Sequence, residues 1–266
     1  SLGKLHKLVN TFGDLPRLCF ILKKNMRKKI LISSIILILF LSVSIILNMK
    51  VTTGQGINFK VSRMELPLYL KLLNFYDRHF NYKWLTRKIT GHLKTKEEKI
   101  FRLFQWTHET IRQQPDDLPI MDDHVWNVYV RGYGISDNFH DLFTTLCNYA
   151  GADGFFLPIY IENSTKSIYL SFIRVERGWV VFDPYHGIYF EDKTGSWATT
   201  SAIKKQNWKT AKLKPSDISK SYYKPYLEVL PEIKKIGFKR ANTQSPFNRL
   251  QLQLNNWFSG EKPLFE

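Results

Sequence analysis

Residues 30–47 read ILISSIILILFLSVSIIL, eighteen positions with no charge and only four serines as polar members. Such a run leaves few folds open. At about 1.5 Å rise per residue it spans about 27 Å as a helix, close to the hydrocarbon thickness of a bilayer. Each serine hydroxyl can bond back to a carbonyl of the preceding turn, so serine is tolerable in lipid. A buried core helix of this length rarely lacks a polar face, and this run has none. Residues 30–48 are therefore expected to form one transmembrane helix, with 30–47 in contact with membrane lipid.

The flanks carry the orientation. Lys23, Lys24, Arg27, Lys28 and Lys29 crowd the N-terminal side, and only Lys50 lies close on the other. The positive-inside rule then predicts a cytoplasmic N-terminus, with the C-terminal domain periplasmic or extracellular. From Met26 the chain would also pass for the start of a signal peptide. Its apolar run is longer than a typical h-region, however, and NMKVTTGQG offers no small-x-small cleavage site. An uncleaved signal anchor is the expectation. Residues 1–29 read as a basic cytoplasmic segment. Within 1–25, Leu2, Leu5, Leu8, Val9, Phe12 and Leu15 have a loose helical spacing interrupted by Gly13 and Pro16. Three readings stay open there: a surface-lying amphipathic segment, a disordered tail, or a stretch upstream of a true start at Met26.

The charge balance supports this division. The chain of 266 residues has a formal net charge of +16. Residues 1–50 hold nine Lys/Arg and one acid, and the other 216 residues hold 30 bases and 22 acids, so each part is net +8. A diffuse nucleic-acid-binding surface predicts no such concentration, and no nucleic-acid partner is expected. Two cysteines, Cys19 and Cys147, without CxxC spacing exclude a disulfide framework and a cysteine-based zinc site.

Residues 49–94 read as a linker followed by an aromatic, helical, membrane-proximal segment. Thr95-Lys96-Glu97-Glu98 is a capping box, and a helix is expected from it to about Arg112, ended by Pro115. Residues 116–134 carry four aspartates near His124 but no EF-hand spacing, so a solvated acidic loop is expected and no metal. Gly132 and Gly134 precede an amphipathic run, DNFHDLFTTLCNYAG. Ser136 or Asp137 can cap this helix, and Gly151 can stop it. Three β-like runs follow at 155–161, 168–176 and 179–184, the last two joined by a tight turn at Arg177-Gly178. Glycine turn, helix and antiparallel meander together form an α+β signature.

This order, with RGYG-x-x-D and W-x-x-F-D-P-x-x-G-x-x-F, resembles the transglutaminase-like superfamily. That superfamily shares the papain-like core, a helix packed on an antiparallel sheet. The resemblance covers about 95–195. It is nearest to bacterial transglutaminase-like proteins linked with surface polysaccharide, and it implies partners among membrane or envelope proteins. Family chemistry uses a cysteine at the helix start, a histidine on the facing strand and an Asp on the next strand. Carried over residue by residue, Ser136 stands at the cysteine position, Leu170 at the histidine position and Asp183 at the third. Leu170 accepts no proton, and a serine without a base is a weak nucleophile at pH 7. No catalytic residue, cofactor or metal is therefore expected. The leading expectation is an inactive binding or scaffold subunit whose groove takes a glycan or peptide.

The alternative is a serine-dependent hydrolase or acyltransferase in which His140 or His186 serves Ser136. Absent that role, His140 reads as an exposed helical histidine, His186 as a loop residue and Cys147 as a buried core thiol. Asn163-Ser164-Thr165 reads as a polar hairpin loop. Residues 196–266 read as a basic C-terminal extension with short helices. Its Lys and Trp residues either form a solvated surface or meet an anionic polymer.

Overall fold

The computed structural model describes residues 15–55, 62–120, 124–161, 165–231, 233 and 245–259. Most of the loosely amphipathic N-terminal stretch, Asp122, Asp123 and Asn163-Ser164 lie outside the described residues. The chain divides into two compact units. One joins residues up to Thr52 with Glu65–Lys71, and the other joins Thr53–Met64 with Leu72 onward.

In the first unit, helix α1 (Leu15–Asn48) contains the apolar run. Its Met26–Asn48 portion is long and apolar enough to cross a membrane, and an 18-residue window within it has a mean hydropathy of 3.0 with none of the window buried within the protein. One of the serines behaves as its chemistry requires, since the Ser42 hydroxyl donates to the Ile38 carbonyl at 2.8 Å. Strands β1 (Lys50–Gln55) and β2 (Ser62–Pro67) pair with each other, and helix α2 (Leu68–Thr90) follows. The Leu68 amide donates to the Met49 carbonyl at 2.9 Å, so α2 starts beside the end of α1.

The second unit holds a short parallel pair, β3 (Arg112–Gln113) with β4 (Tyr133–Gly134), and is built on a five-stranded antiparallel sheet in the order β5-β6-β7-β8-β9. The strands are β5 (Gly154–Tyr160), β6 (Ser167–Val175), β7 (Gly178–Asp183), β8 (Ile188–Glu191) and β9 (Lys209–Lys212). Each of the first three lies within one residue of its expected span. The two turn residues between β6 and β7 are Glu176 and Arg177. Gly178, expected in the turn, instead begins β7 at φ 129°, where a side chain would be strained.

Helices α3 (Lys96–Thr110) and α5 (Ser136–Tyr149) cover one face of the sheet. The predicted capping box opens α3. Glu98 N–H donates to the Thr95 hydroxyl at 3.2 Å, and Thr95 N–H to the Glu98 carboxylate at 2.9 Å. The expected acidic loop contains an element that was not foreseen, helix α4 (Val125–Arg131). His124 caps it by accepting from the Trp126 amide at 3.3 Å. Seven residues make only about two turns, too short a window for the helical periodicity to stand out.

The 196–266 segment does more than extend the core. It supplies β9, which completes the sheet, and helices α6 (Thr200–Lys204) and α7 (Lys220–Glu228) on the opposite face. A further helix, α8 (Pro246–Ser259), follows. The two-sided cover explains the unbroken apolar run of β7. Val180 and Phe182 enter the core under α5, while Val181 enters the core under α6 and α7. β6 divides in the same way. Ile173 and Val175 face α5, and Ile168, Leu170 and Phe172 face the second core.

Candidate functional site

Three segments meet at the end of β7. The first is the glycine turn entering α5. Arg131 donates from Nε to the Tyr133 carbonyl at 2.9 Å and from Nη2 to Asn138 Oδ1 at 3.2 Å. Asn138 Oδ1 also accepts from the Ile135 amide at 3.3 Å, so Asn138 satisfies a free donor at the helix start. Gly134 has to be a glycine here, because a Cβ would stand 2.7 Å from Asn138 Oδ1. The N-cap is thus Ile135, not Ser136 or Asp137, and the capping acceptor comes from Asn138. Ser136 is the first helical residue and is half-buried.

The second segment is the inner face of α5. Spacing of three and four residues aligns Ser136, Phe139, His140 and Phe143. His140 is fully buried, not exposed as a helical surface histidine would be. Its Nδ1 lies 2.8 Å from the hydroxyl of Ser171 on β6, and its Nε2 lies 3.6 Å from Asp183 Oδ1. A carboxylate only accepts, so the proton belongs on Nε2, and Ser171 donates to Nδ1. Burial lowers the His140 pKa, with Asp183 opposing only in part, and the ring is neutral at pH 7.

The third segment is the F-D-P-Y-H-G turn. Asp183 is buried, and its carboxylate collects donors from three directions. The His186 amide donates to Oδ1 at 3.1 Å, His186 Nδ1 to Oδ2 at 2.7 Å, and the Tyr223 hydroxyl of α7 to Oδ2 at 2.6 Å. Burial alone would raise the Asp183 pKa. The hydrogen bonds and charges of His140 and His186 outweigh it and hold the carboxyl well below its usual range. Burial, followed by the Asp183 charge, pushes the Tyr223 phenol far up, so it stays a donor. The turn is pinned from α3, where His108 Nδ1 lies 3.1 Å from the Pro184 carbonyl. Gly187 has φ 66°, and a Cβ on it would stand 2.7 Å from His108 Nε2.

The structure therefore brings Asp183, His140 and His186 together and leaves Leu170 apart from them. The Ser171–Phe182 pairing places Leu170 one step nearer the Asp183 end of β7. Leu170 is fully buried in the second core, on the face turned away from α5, so the β6 position that faces α5 is Ser171 and not Leu170. The Ser136 hydroxyl makes no hydrogen bond to His140 or His186 among the described residues. Two participants were missed. Ser171 was legible in principle, because period-two alternation puts it on the same face as Ile173 and Val175. Tyr223 gave no local signal, since only the chain path carries it to Asp183. Cys147 is buried as expected, and burial drives its thiol pKa well up, away from reactive thiolate. Among the described residues no group of three or more His, Cys, Asp or Glu is placed to hold a metal ion.

This geometry coincides with a match to a known family. Residues 83–184 match the model of the transglutaminase-like superfamily. That stretch is similar to a transglutaminase-like domain. It takes in the last turns of α2, all of α3, α4 and α5, and the sheet as far as the Asp183-Pro184 turn. Among solved structures the chain is similar to a candidate cysteine protease from Cytophaga hutchinsonii, at 13% identity and TM-score 0.36, covering 55% of this chain and 56% of that one. It is also similar to a candidate protease from Parabacteroides distasonis ATCC 8503, at 11% identity and TM-score 0.34, covering 64% of this chain and 40% of that one. The chain thus spans about half the length of the first and two fifths of the second. No curated protein matches it. β8, β9, α6 and α7 lie beyond the matched stretch, yet α7 supplies Tyr223 to the site.

Proposed function

We propose that this is a single-pass membrane protein whose transglutaminase-like domain binds rather than catalyses. It serves as a recognition or scaffold subunit of an envelope complex, and its ligand is an extended chain such as a glycan or peptide. The basic flank of α1 supports a cytoplasmic N-terminus with the domain on the outer side. The observation that carries this reading is the inner face of β6. Its residue beside Asp183 on the α5 side is Ser171, which donates to His140 and accepts no proton as a base, while Leu170 is a hydrocarbon sealed in the second core. Asp183 is already saturated by His186 and Tyr223, so it acts as a structural hub.

Labelling the full chain in membranes with a serine-directed fluorophosphonate tests this. No modification of Ser136 is expected. Modification that disappears in Ser136→Ala would overturn it. Purification in mild detergent with mass spectrometry of co-eluting chains is expected to recover envelope partners.

One observation favours a second reading. Asp183 holds His186 through Nδ1, which leaves Nε2 available, and the His186 side chain keeps 23% of its surface exposed. An oriented, accessible imidazole is the arrangement a general base needs. Under this reading Ser136 labels, and His186→Ala abolishes the labelling while the fold survives.

A further inference from the structure

Helix α2 buries Tyr82, Leu85, Thr86, Ile89 and Thr90. Its opposite face is exposed and carries an apolar stripe. Leu73, Tyr76, Phe80 and Trp84 recur at three- and four-residue intervals and are 60%, 48%, 61% and 52% exposed. Chance does not usually place four large apolar side chains in one solvent-facing stripe, and such stripes mark interaction surfaces. The stripe ends among cations. Phe80, Lys83, Trp84, Arg87 and Lys88 line a shallow hollow of about 470 Å³, with the Lys88 ammonium 4.9 Å from the Trp84 ring centre. The one acid on this face, Asp77, accepts a hydrogen bond from Asn81 at 3.1 Å.

Leucine, aromatic rings with polar edges, and lysine or arginine are the side chains that settle at the headgroup level of a bilayer. The chain path puts a bilayer within reach. Leu68, the first residue of α2, is hydrogen-bonded to Met49, immediately after the membrane-crossing helix. Trp84 lies sixteen residues further along the same helix, about 24 Å at 1.5 Å per residue.

We propose that this outer face of α2 lies on the membrane surface. Leu73, Tyr76, Phe80 and Trp84 enter the headgroup region, and Lys83, Arg87 and Lys88 engage anionic lipid phosphates. The anchor then has a second, reversible contact that restrains the domain on the bilayer.

The test uses the full chain in lipid nanodiscs. A nitroxide is placed at Phe80→Cys, with Lys193→Cys as an exposed reference, both in a Cys19→Ser background. Buried Cys147 does not label. In phosphatidylcholine with phosphatidylglycerol, the ratio of oxygen to nickel-chelate accessibility is expected to be several-fold higher at position 80 than at 193. The excess shrinks in phosphatidylcholine alone, in 1 M salt, where screening reaches about 3 Å, and with Lys83, Arg87 and Lys88 all changed to Glu. Equal ratios at the two positions in anionic bilayers overturn the proposal. So does a label shielded from both reagents in detergent as well as in bilayers, which would mean a protein partner or a second copy covers the face.

Discussion

Asp183 is the residue on which the site's stability turns. It is an ionised carboxylate inside a protein, and such a charge persists only when donors surround it. Removing the Tyr223 donor by Tyr223→Phe is expected to cost about 1.5–3 kcal/mol, the usual worth of a hydrogen bond to a charged group. Asp183→Ala strands three donors and the neighbouring His140 ring, and about 3–5 kcal/mol is expected. Urea denaturation of the detergent-solubilised chain reads both. The pH dependence follows from the same cluster. Burial puts the folded His140 pKa below 6.5, so the unfolded chain takes up that proton first as pH falls. Stability from His140 is complete above 6.5 and drains as pH drops towards its folded value. Asp183 adds a second loss in the same direction, beginning only near 3.8. Between about pH 7 and pH 5 the denaturation midpoint should therefore fall, by at most about 1.4 kcal/mol per pH unit for His140. His79 shifts in the same direction, so the part of the slope that vanishes in His140→Gln is the one that belongs to the site.

At the scale of elements, what could be read in advance was whatever is encoded locally. The α3 capping box needs only Thr95 and Glu98, and Thr95→Ala is expected to cost about 1 kcal/mol in the same denaturation assay. The three strands β5 to β7 announce themselves by β-branched and aromatic runs between glycines. Helix α4 did not, being too short for its periodicity to stand out. The burial of His140 did not either, because a lone imidazole on a helix looks the same whether solvent or Ser171 faces it. The turn after β7 depends on a contact made at a distance. Gly187 takes a left-handed conformation beneath His108, so Gly187→Ala strains the backbone and drives a Cβ into a pinned ring. A loss of about 1–3 kcal/mol is expected, with His186 freed from Asp183 in NMR spectra.

For the whole molecule, the apolar helix of membrane-crossing length and the domain's first half were legible, and the domain's second half was not. An uncharged run of eighteen residues announces a helix long enough to cross a bilayer, and the glycine turn with F-D-P is dense enough to point to a family. The layer of α6 and α7 is encoded by Trp208, Tyr223, Tyr226 and Leu227, scattered among lysines and serines that suggest a solvated tail. Their burial is decided by where β9 joins the sheet, which no local window contains. The proposed orientation belongs to this scale as well. In intact cells a membrane-impermeant maleimide should label Lys193→Cys and leave Cys19 unmodified until the membrane is opened. Labelling in the reverse order would turn the molecule over.

The position of Leu170 also bears on how the domain's chemistry could be rebuilt. Changing Ser136 to cysteine and Leu170 to histidine would restore the family's letters without its environment. The new imidazole would stand on the strand paired with β5, opposite Leu157, among the aromatic and aliphatic side chains that α7 closes over. In such a hydrocarbon enclosure an imidazole sheds its proton and meets no water. Placing a base at position 170 would therefore mean reopening the layer that α6 and α7 seal, and with it the Tyr223 bond that steadies Asp183.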